Sequence, residues 1–234
     1  MRKVVVLGHS HIVALSSSYE AAHPGAEMEF IGPHSAVFAP LLQHGALNPA
    51  LAGHLRQAGA DLHVAMFGGN EHAAMSLINH PQRFDLVLPE APELPLQPGA
   101  ELLPAGLVLA MLEAWIAPHV QALAAYRAVV AGRLVHVDAP PPVPSEAHIR
   151  QYPSSFDALI AARGVSPALV RYKFWRLHSR LWRAACARLG VEFITVPAQM
   201  CDAGGMLIEA AWNPDPTHGN ALYGSAVIAK LLGQ

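Results

Sequence analysis

The chain has 234 residues, 53% of them hydrophobic and 14% charged, with a net charge of -2 when histidine is neutral. One apolar-cored domain fits that length, and the composition argues against disorder. The near-neutral balance offers no basic face for a nucleic acid. Two cysteines, Cys186 and Cys201, make no metal or redox spacing and read as free thiols of a reducing compartment.

Lys3 to Leu7 is a short β-branched run ending at Gly8, the pattern of a buried parallel strand. It is too short for a signal-peptide core. A helix is expected from about His11 to Ala22, closed by His23-Pro24-Gly25. Glu27 to Ile31 reads as a second strand, ended by Gly32-Pro33. A loop with Gly45 leads to a helix from Pro49 to Gly59, capped by Asn48. Asp61 to Phe67 reads as the third strand and Gly68-Gly69 ends it.

Residues 80–105 carry six prolines and read as an extended insertion with one short edge strand, Phe84 to Leu88. A helix follows from Ala105 to Ala131, kinked or split at Pro118. The Ala- and Leu-rich run there is interrupted by polar residues, and no stretch spans a bilayer, which takes about 20 apolar residues. A soluble cytoplasmic protein is the expectation. Arg133 to Asp138 is the fourth strand.

Ser166 is placed to cap a long helix with Pro167 in its first turn, running to Leu189 and stopped by Gly190. Val170, Phe174, Leu177, Leu181 and Ala184 share its apolar face, and Trp175 and Trp182 read as core. Val191 to Val196 is the fifth strand. The last helix is expected from near His218 to Leu232.

Alternating strands and helices predict an α/β fold, a three-layer α/β/α sandwich with a mainly parallel five-stranded sheet of flavodoxin-like type. Ligands of such sheets sit beyond the carboxyl ends of the strands. Three segments gather there: Gly8-His9-Ser10-His11, Gly68-Gly69-Asn70-Glu71 and Asp215-Pro216-Thr217-His218. Ser10 stands at a strand-to-helix turn, where a backbone N–H faces developing negative charge. The three-residue spacing of Asp215 and His218 lets the carboxylate orient the imidazole, whose other nitrogen takes a serine proton. The Asn70 amide can donate to an oxyanion. Taken singly, each segment reads equally as a helix cap, a surface turn or a tight glycine turn.

Together the segments resemble the SGNH hydrolases, also called GDSL-type esterases and lipases. Gly8-His9-Ser10 resembles the family's Gly-Asp-Ser block, Gly68-Gly69-Asn70-Glu71 its Gly-x-Asn-Asp block, and Asp215-Pro216-Thr217-His218 its Asp-x-x-His block, followed by Asn220, Tyr223 and Gly224. The resemblance implies a serine esterase with Ser10 as nucleophile, His218 as general base and then acid, and Asp215 as its orienter. It implies an oxyanion hole from Ser10, Asn70 and a glycine of the second block, Gly45 or alternatively Gly32. His9 and Glu71 stand where the family has aspartates. His11, Glu71 and Trp212 are substrate-pocket candidates, with Tyr152, Phe156 and Phe174 as further aromatics nearby. Arg150, Arg171 and Lys173 read as a solvated face, the alternative being an anion site.

The expected partner is a small ester substrate, with no cofactor and no metal. Fourteen histidines are scattered without a His-Glu-x-x-His helix pattern. Two other readings compete: a non-catalytic binding module on the same fold, and a metallophosphoesterase suggested by His9-x-His11 and Asn70-Glu71-His72. The second lacks a carboxylate in its first segment.

Overall fold

The computed structural model describes residues 2–22 and 25–233. Five strands form the central sheet: β1 (Arg2–Gly8), β2 (Ala26–Ile31), β3 (Leu62–Met66), β4 (Arg133–Val137) and β5 (Glu192–Ile194). They pair in parallel in the order β2-β1-β3-β4-β5. Chain direction across the sheet therefore reverses between β1 and β3, and the crevice of such a sheet opens at the carboxyl ends of those two strands. Ser10 follows the first and Asn70 the second.

The described residues form eight α-helices: α1 (Ile12–Ala22), α2 (Pro49–Gln57), α3 (Glu71–Ser76), α4 (Ala105–Val129), α5 (Glu146–Gln151), α6 (Asp157–Arg163), α7 (Ala168–Leu189) and α8 (Ala221–Leu232). Alternation along each strand divides the core into two layers. Val4, Val6, Val64 and Met66 pack with Leu15 of α1 and Val227 of α8. Val5, Leu7 and Ala65 pack with Leu51 of α2, Leu123 of α4 and Trp182 of α7. Helices on both faces explain why the middle of β1, Val4 to Leu7, is apolar on both sides.

The expected strands appear within a residue or two of their predicted ends, and Asn48 caps α2 by accepting from Leu51 N–H at 2.9 Å. The expected close of α1 at His23-Pro24 lies outside the described residues. Other expectations are corrected. Phe84–Asp85 joins no edge of the main sheet; it pairs in parallel with Glu101–Leu102 as a separate two-stranded unit. Pro118 lies inside α4 without splitting it, and α4 is long and apolar enough to cross a membrane by length and composition alone. Its Val108, Leu112, Ile116, Leu123 and Tyr126 are buried within the domain.

Helix α7 changes its buried face partway along. Val170, Phe174 and Leu177 cover Leu86, Leu88, Val108 and Leu112, whereas Trp182 and Cys186 face the sheet. Ala184 is consequently exposed. Ser166 does not cap this helix, whose first residue follows Pro167 with no side-chain cap. Its carbonyl instead accepts from Arg171 Nε at 3.0 Å, and Arg171 also reaches the carbonyls of Val143 and Pro144. Lys173 is fully buried and donates to Asp85 at 2.8 Å. Arg171 and Lys173 thus fasten the 80–105 segment and the 143–166 loops to α7, and neither lies on a solvated face. Arg150 does, pairing with Glu146.

Two features of the fold bear directly on the crevice. Helices α1 and α8 meet at Gly224, where a Cβ would lie 1.9 Å from the Ala14 carbonyl oxygen. Asp138, at the end of β4, is buried and accepts from the Ser179 hydroxyl at 2.6 Å. Burial pushes its carboxyl up to about 6.

Gly224→Ala is expected to lever α8 off α1, costing about 1–3 kcal/mol as overpacking does. A urea midpoint equal to that of the parent contradicts this. The Asp138 proton is held by the folded chain at a pH where an unfolded aspartate, near 3.9, has lost it. That contribution is complete below about pH 4 and is lost as pH rises through 6. Between pH 4 and 7 the parent should therefore lose about 2 kcal/mol relative to Asp138→Asn. Parallel stability–pH curves for the two proteins contradict the assignment.

Candidate active site

The loop before α8 is built around one carboxylate. Asp215 Oδ1 accepts from the backbone N–H of Thr217 and of His218, both at 2.8 Å, and lies 3.0 Å from His218 Nδ1. Asn213 Nδ2 donates to Asp215 Oδ2. An aspartate that bonds backbone N–H groups two and three residues on folds its own turn. That turn is why a three-residue spacing places the imidazole against the carboxylate. Helix α8 starts later than expected because Asn220 caps it, accepting from Leu222 and Tyr223 N–H. His218 therefore stands in the loop. Burial opposes the Asp215 charge, but the His218, Asn213 and Thr217 bonds outweigh it and hold the carboxyl well below the usual range.

The other edge of the ring meets the first segment. His218 Nε2 lies 2.8 Å from Ser10 Oγ. Ser10, His218 and Asp215 thus form one hydrogen-bonded chain. Ser10 sits in the turn between β1 and α1, and among the described residues its backbone N–H has no acceptor.

The loop after β3 is ordered by a second carboxylate. Gly68 and Gly69 have φ of 65° and 108°, conformations that favour glycine. Glu71 Oε2 accepts from Gly69 N–H at 2.8 Å. The same carboxylate meets His178 Nε2 and His119 Nε2, each at 3.0 Å. Burial works against its charge, but the bonds from His119 and His178 overcome this and hold it ionised. Glu71 is therefore an internal clamp joining α3, α4 and α7. His9 completes the clamp, since its Nδ1 accepts from Gly68 N–H at 3.2 Å. Burial, then the neighbouring His119, depresses its pKa. A neutral imidazole accepts one N–H as a carboxylate would, which accounts for histidine at this position.

His11 is buried between these two assemblies. Its ring centroid lies 4.5 Å from that of His218, and a Cβ on Gly69 would meet its Cδ2 at 2.5 Å. Burial, followed by the proximity of His218, pushes His11 down to about 3. It lines the cavity beside Ser10, about 230 Å³ in volume, with Val13, Ala14, Ser17, Asn213 and Ala221. Larger cavities near Arg83 and near Met111 have neither Ser10 nor His218 in their walls.

Gly45 and Trp212 lie outside the wall of this cavity. Gly45 and His44, with φ of 83° and 53°, form the two-residue turn of a hairpin in which Gln43 faces Ala46. The turn explains that glycine. Gly32 ends β2, and a Cβ there would meet Ile12 at 2.5 Å and the Gly8 carbonyl at 3.7 Å, next to Ser10. The Trp212 indole donates to the Leu207 carbonyl and lies against His148, outside the cavity wall. Its backbone bridges to Gly219 and closes the Asp215 loop. Phe174 belongs to the separate core under the 80–105 segment.

The site also holds Asn213, His119 and His178, which the three motifs do not include. Asn213 had a local signal, being an amide two residues before Asp215; the other two arrive from distant helices and had none. Among the described residues no group of three or more His, Cys, Asp or Glu is placed to hold a metal ion.

No protein-family model matches the chain, and no curated protein does. Solved structures do. The chain is similar over 99% of its length to the lipopolysaccharide acetyltransferase periplasmic domain of Salmonella ser. Paratyphi A, covering 82% of that chain with a TM-score of 0.50 and 8% identity. It is also similar to an extracellular lipase from Streptomyces rimosus (TM-score 0.49, 15% identity, 100% and 99% of the two chains). A carbohydrate acetylesterase family member from Sinorhizobium meliloti matches over 100% of both chains, with a TM-score of 0.45 and 15% identity. At 8% identity the likeness to the first of these is one of fold alone: a parallel five-stranded sheet between helix layers, an α/β/α sandwich.

Proposed function

We propose that the protein is a serine hydrolase acting on carboxylic esters or O-acetyl groups through an acyl-enzyme. The observation that carries this reading is the chain Ser10 Oγ to His218 Nε2, 2.8 Å, and His218 Nδ1 to Asp215 Oδ1, 3.0 Å. In this reading Ser10 Oγ attacks the ester carbonyl carbon as its proton passes to His218 Nε2. Asp215, ionised, fixes the ring and stabilises the imidazolium. The oxyanion is met by the Ser10 N–H, the Asn70 amide and a glycine N–H of the second block, that of Gly45 or of Gly32. His218 then returns the proton to the leaving alcohol. A water, deprotonated by His218, releases the acid from Ser10.

The cavity favours a short acyl group. At about 230 Å³ it falls below the roughly 300–1,000 Å³ common for drug-sized ligands. Its walls, Val13, Ala14 and Ala221, are small.

Ser10→Ala is expected to lower p-nitrophenyl acetate turnover by at least about 10³-fold, and Asp215→Asn by roughly 10²–10⁴-fold. Turnover should decline from butyrate to octanoate and should be indifferent to EDTA. Full activity in Ser10→Ala overturns the reading. Inhibition by EDTA points to the metal chemistry instead, and inactivity of the parent toward all esters to a binding module.

A further inference from the structure

Asn70 occupies the residue before α3, the position where asparagine commonly caps a helix by accepting a backbone N–H. It makes no such bond. Its Oδ1 is buried without a conventional partner, and so is His11 Nε2. The two lie at the same stretch of backbone: His11 Nε2 would be 2.6 Å from a Cβ on Gly69, and Asn70 is the next residue. A buried polar atom left unpaired is costly, so mutual pairing is the arrangement that relieves both.

We propose that His11 is a positioning residue for Asn70: its Nε2–H donates to the Asn70 carbonyl and so presents the Asn70 NH2 to the oxyanion beside Ser10, a role that rests on the hydrolase reading above. An amide carbonyl only accepts, so the pairing requires the Nε2–H tautomer of His11. The reverse pairing, Asn70 NH2 to a bare Nε2, turns the amide oxygen toward the developing negative charge and opposes the reaction.

The surroundings fix this ring. Gly69 has no room for a Cβ, which would lie 2.5 Å from Cδ2 and 2.6 Å from Nε2 of His11. The ring is thus pressed against the backbone of the residue before Asn70. Its other neighbour is the His218 ring at 4.5 Å. Burial and the adjacent His218 keep His11 neutral. It therefore does not compete with His218 for the Ser10 proton, and its Nε2–H remains available to Asn70 throughout the cycle.

Two measurements test the proposal. In ¹⁵N-labelled parent protein, the His11 ring nitrogens should report the neutral Nε2–H tautomer from pH 5 to 8. The Nδ1–H tautomer, or titration of His11 within that range, overturns the pairing; this measurement needs no variant and no activity. In kinetics, His11→Phe should lower kcat about 30-fold with KM within twofold, and His11→Gln, whose amide restores a donor, should recover at least tenfold of that loss. In an Asn70→Ala background His11→Phe should cost nothing further. An equal loss in that background shows that His11 acts independently of Asn70 and overturns the proposal. Ester turnover that persists in Ser10→Ala overturns the hydrolase reading itself, and the tautomer then judges the pairing alone.

Discussion

Ser10 and His218 are 208 positions apart and meet because two helices touch backbone to backbone. Helix α1 leaves the turn that holds Ser10, and α8 leaves the loop that holds His218. Gly224 lets α8 approach until the Ala14 carbonyl occupies the place of a side chain. A hydrogen bond of 2.8 Å between elements at opposite ends of the chain tolerates little displacement. The interior packing of this face, from Leu15 through Val227, holds the two helices at that distance. The sheet order supplies the other coordinate, since β1 and β3 flank the point where the strand direction of travel reverses.

Around this junction the protein spends polar groups in its interior. Glu71 ties three helices through His119, His178 and the Gly69 N–H, and His9 ties β1 to the same loop. A buried carboxylate is costly unless its bonds are satisfied, and this one has three partners. Both positions depart from the Gly-Asp-Ser and Gly-x-Asn-Asp patterns that the sequence resembles, yet each side chain serves as an acceptor of a backbone N–H from the Gly68-Gly69 loop. Both side chains thus order the Gly68-Gly69 loop, and neither is a member of the hydrogen-bonded chain of Ser10, His218 and Asp215.

The strands and the three site segments were legible because they are local: a β-branched run ending in glycine, or an aspartate three residues before a histidine, carries its meaning in adjacent residues. What escaped depends on contacts between distant segments. Lys173 and Arg171 look like a charged helix face until Asp85 and the carbonyls of Val143 and Pro144 arrive to bury them. Ala184 has the right spacing for the apolar face of α7 but falls where that helix changes the surface it covers. Gly45 sits in the turn of a two-stranded hairpin whose strands are too short to read from sequence. The short helices α3, α5 and α6 have too few residues for a periodic signal. His11 gave the least warning: its burial follows from the Gly68-Gly69 loop and the His218 loop closing on one ring.

The central claim is that Ser10 is activated by His218. It is tested most directly by treating the protein with a fluorophosphonate, mapping the modified peptide by mass spectrometry, and repeating the reaction with His218→Ala. The account predicts one adduct, on Ser10, that is lost in the variant. Modification at another residue, or a Ser10 adduct formed equally fast without the histidine, contradicts it.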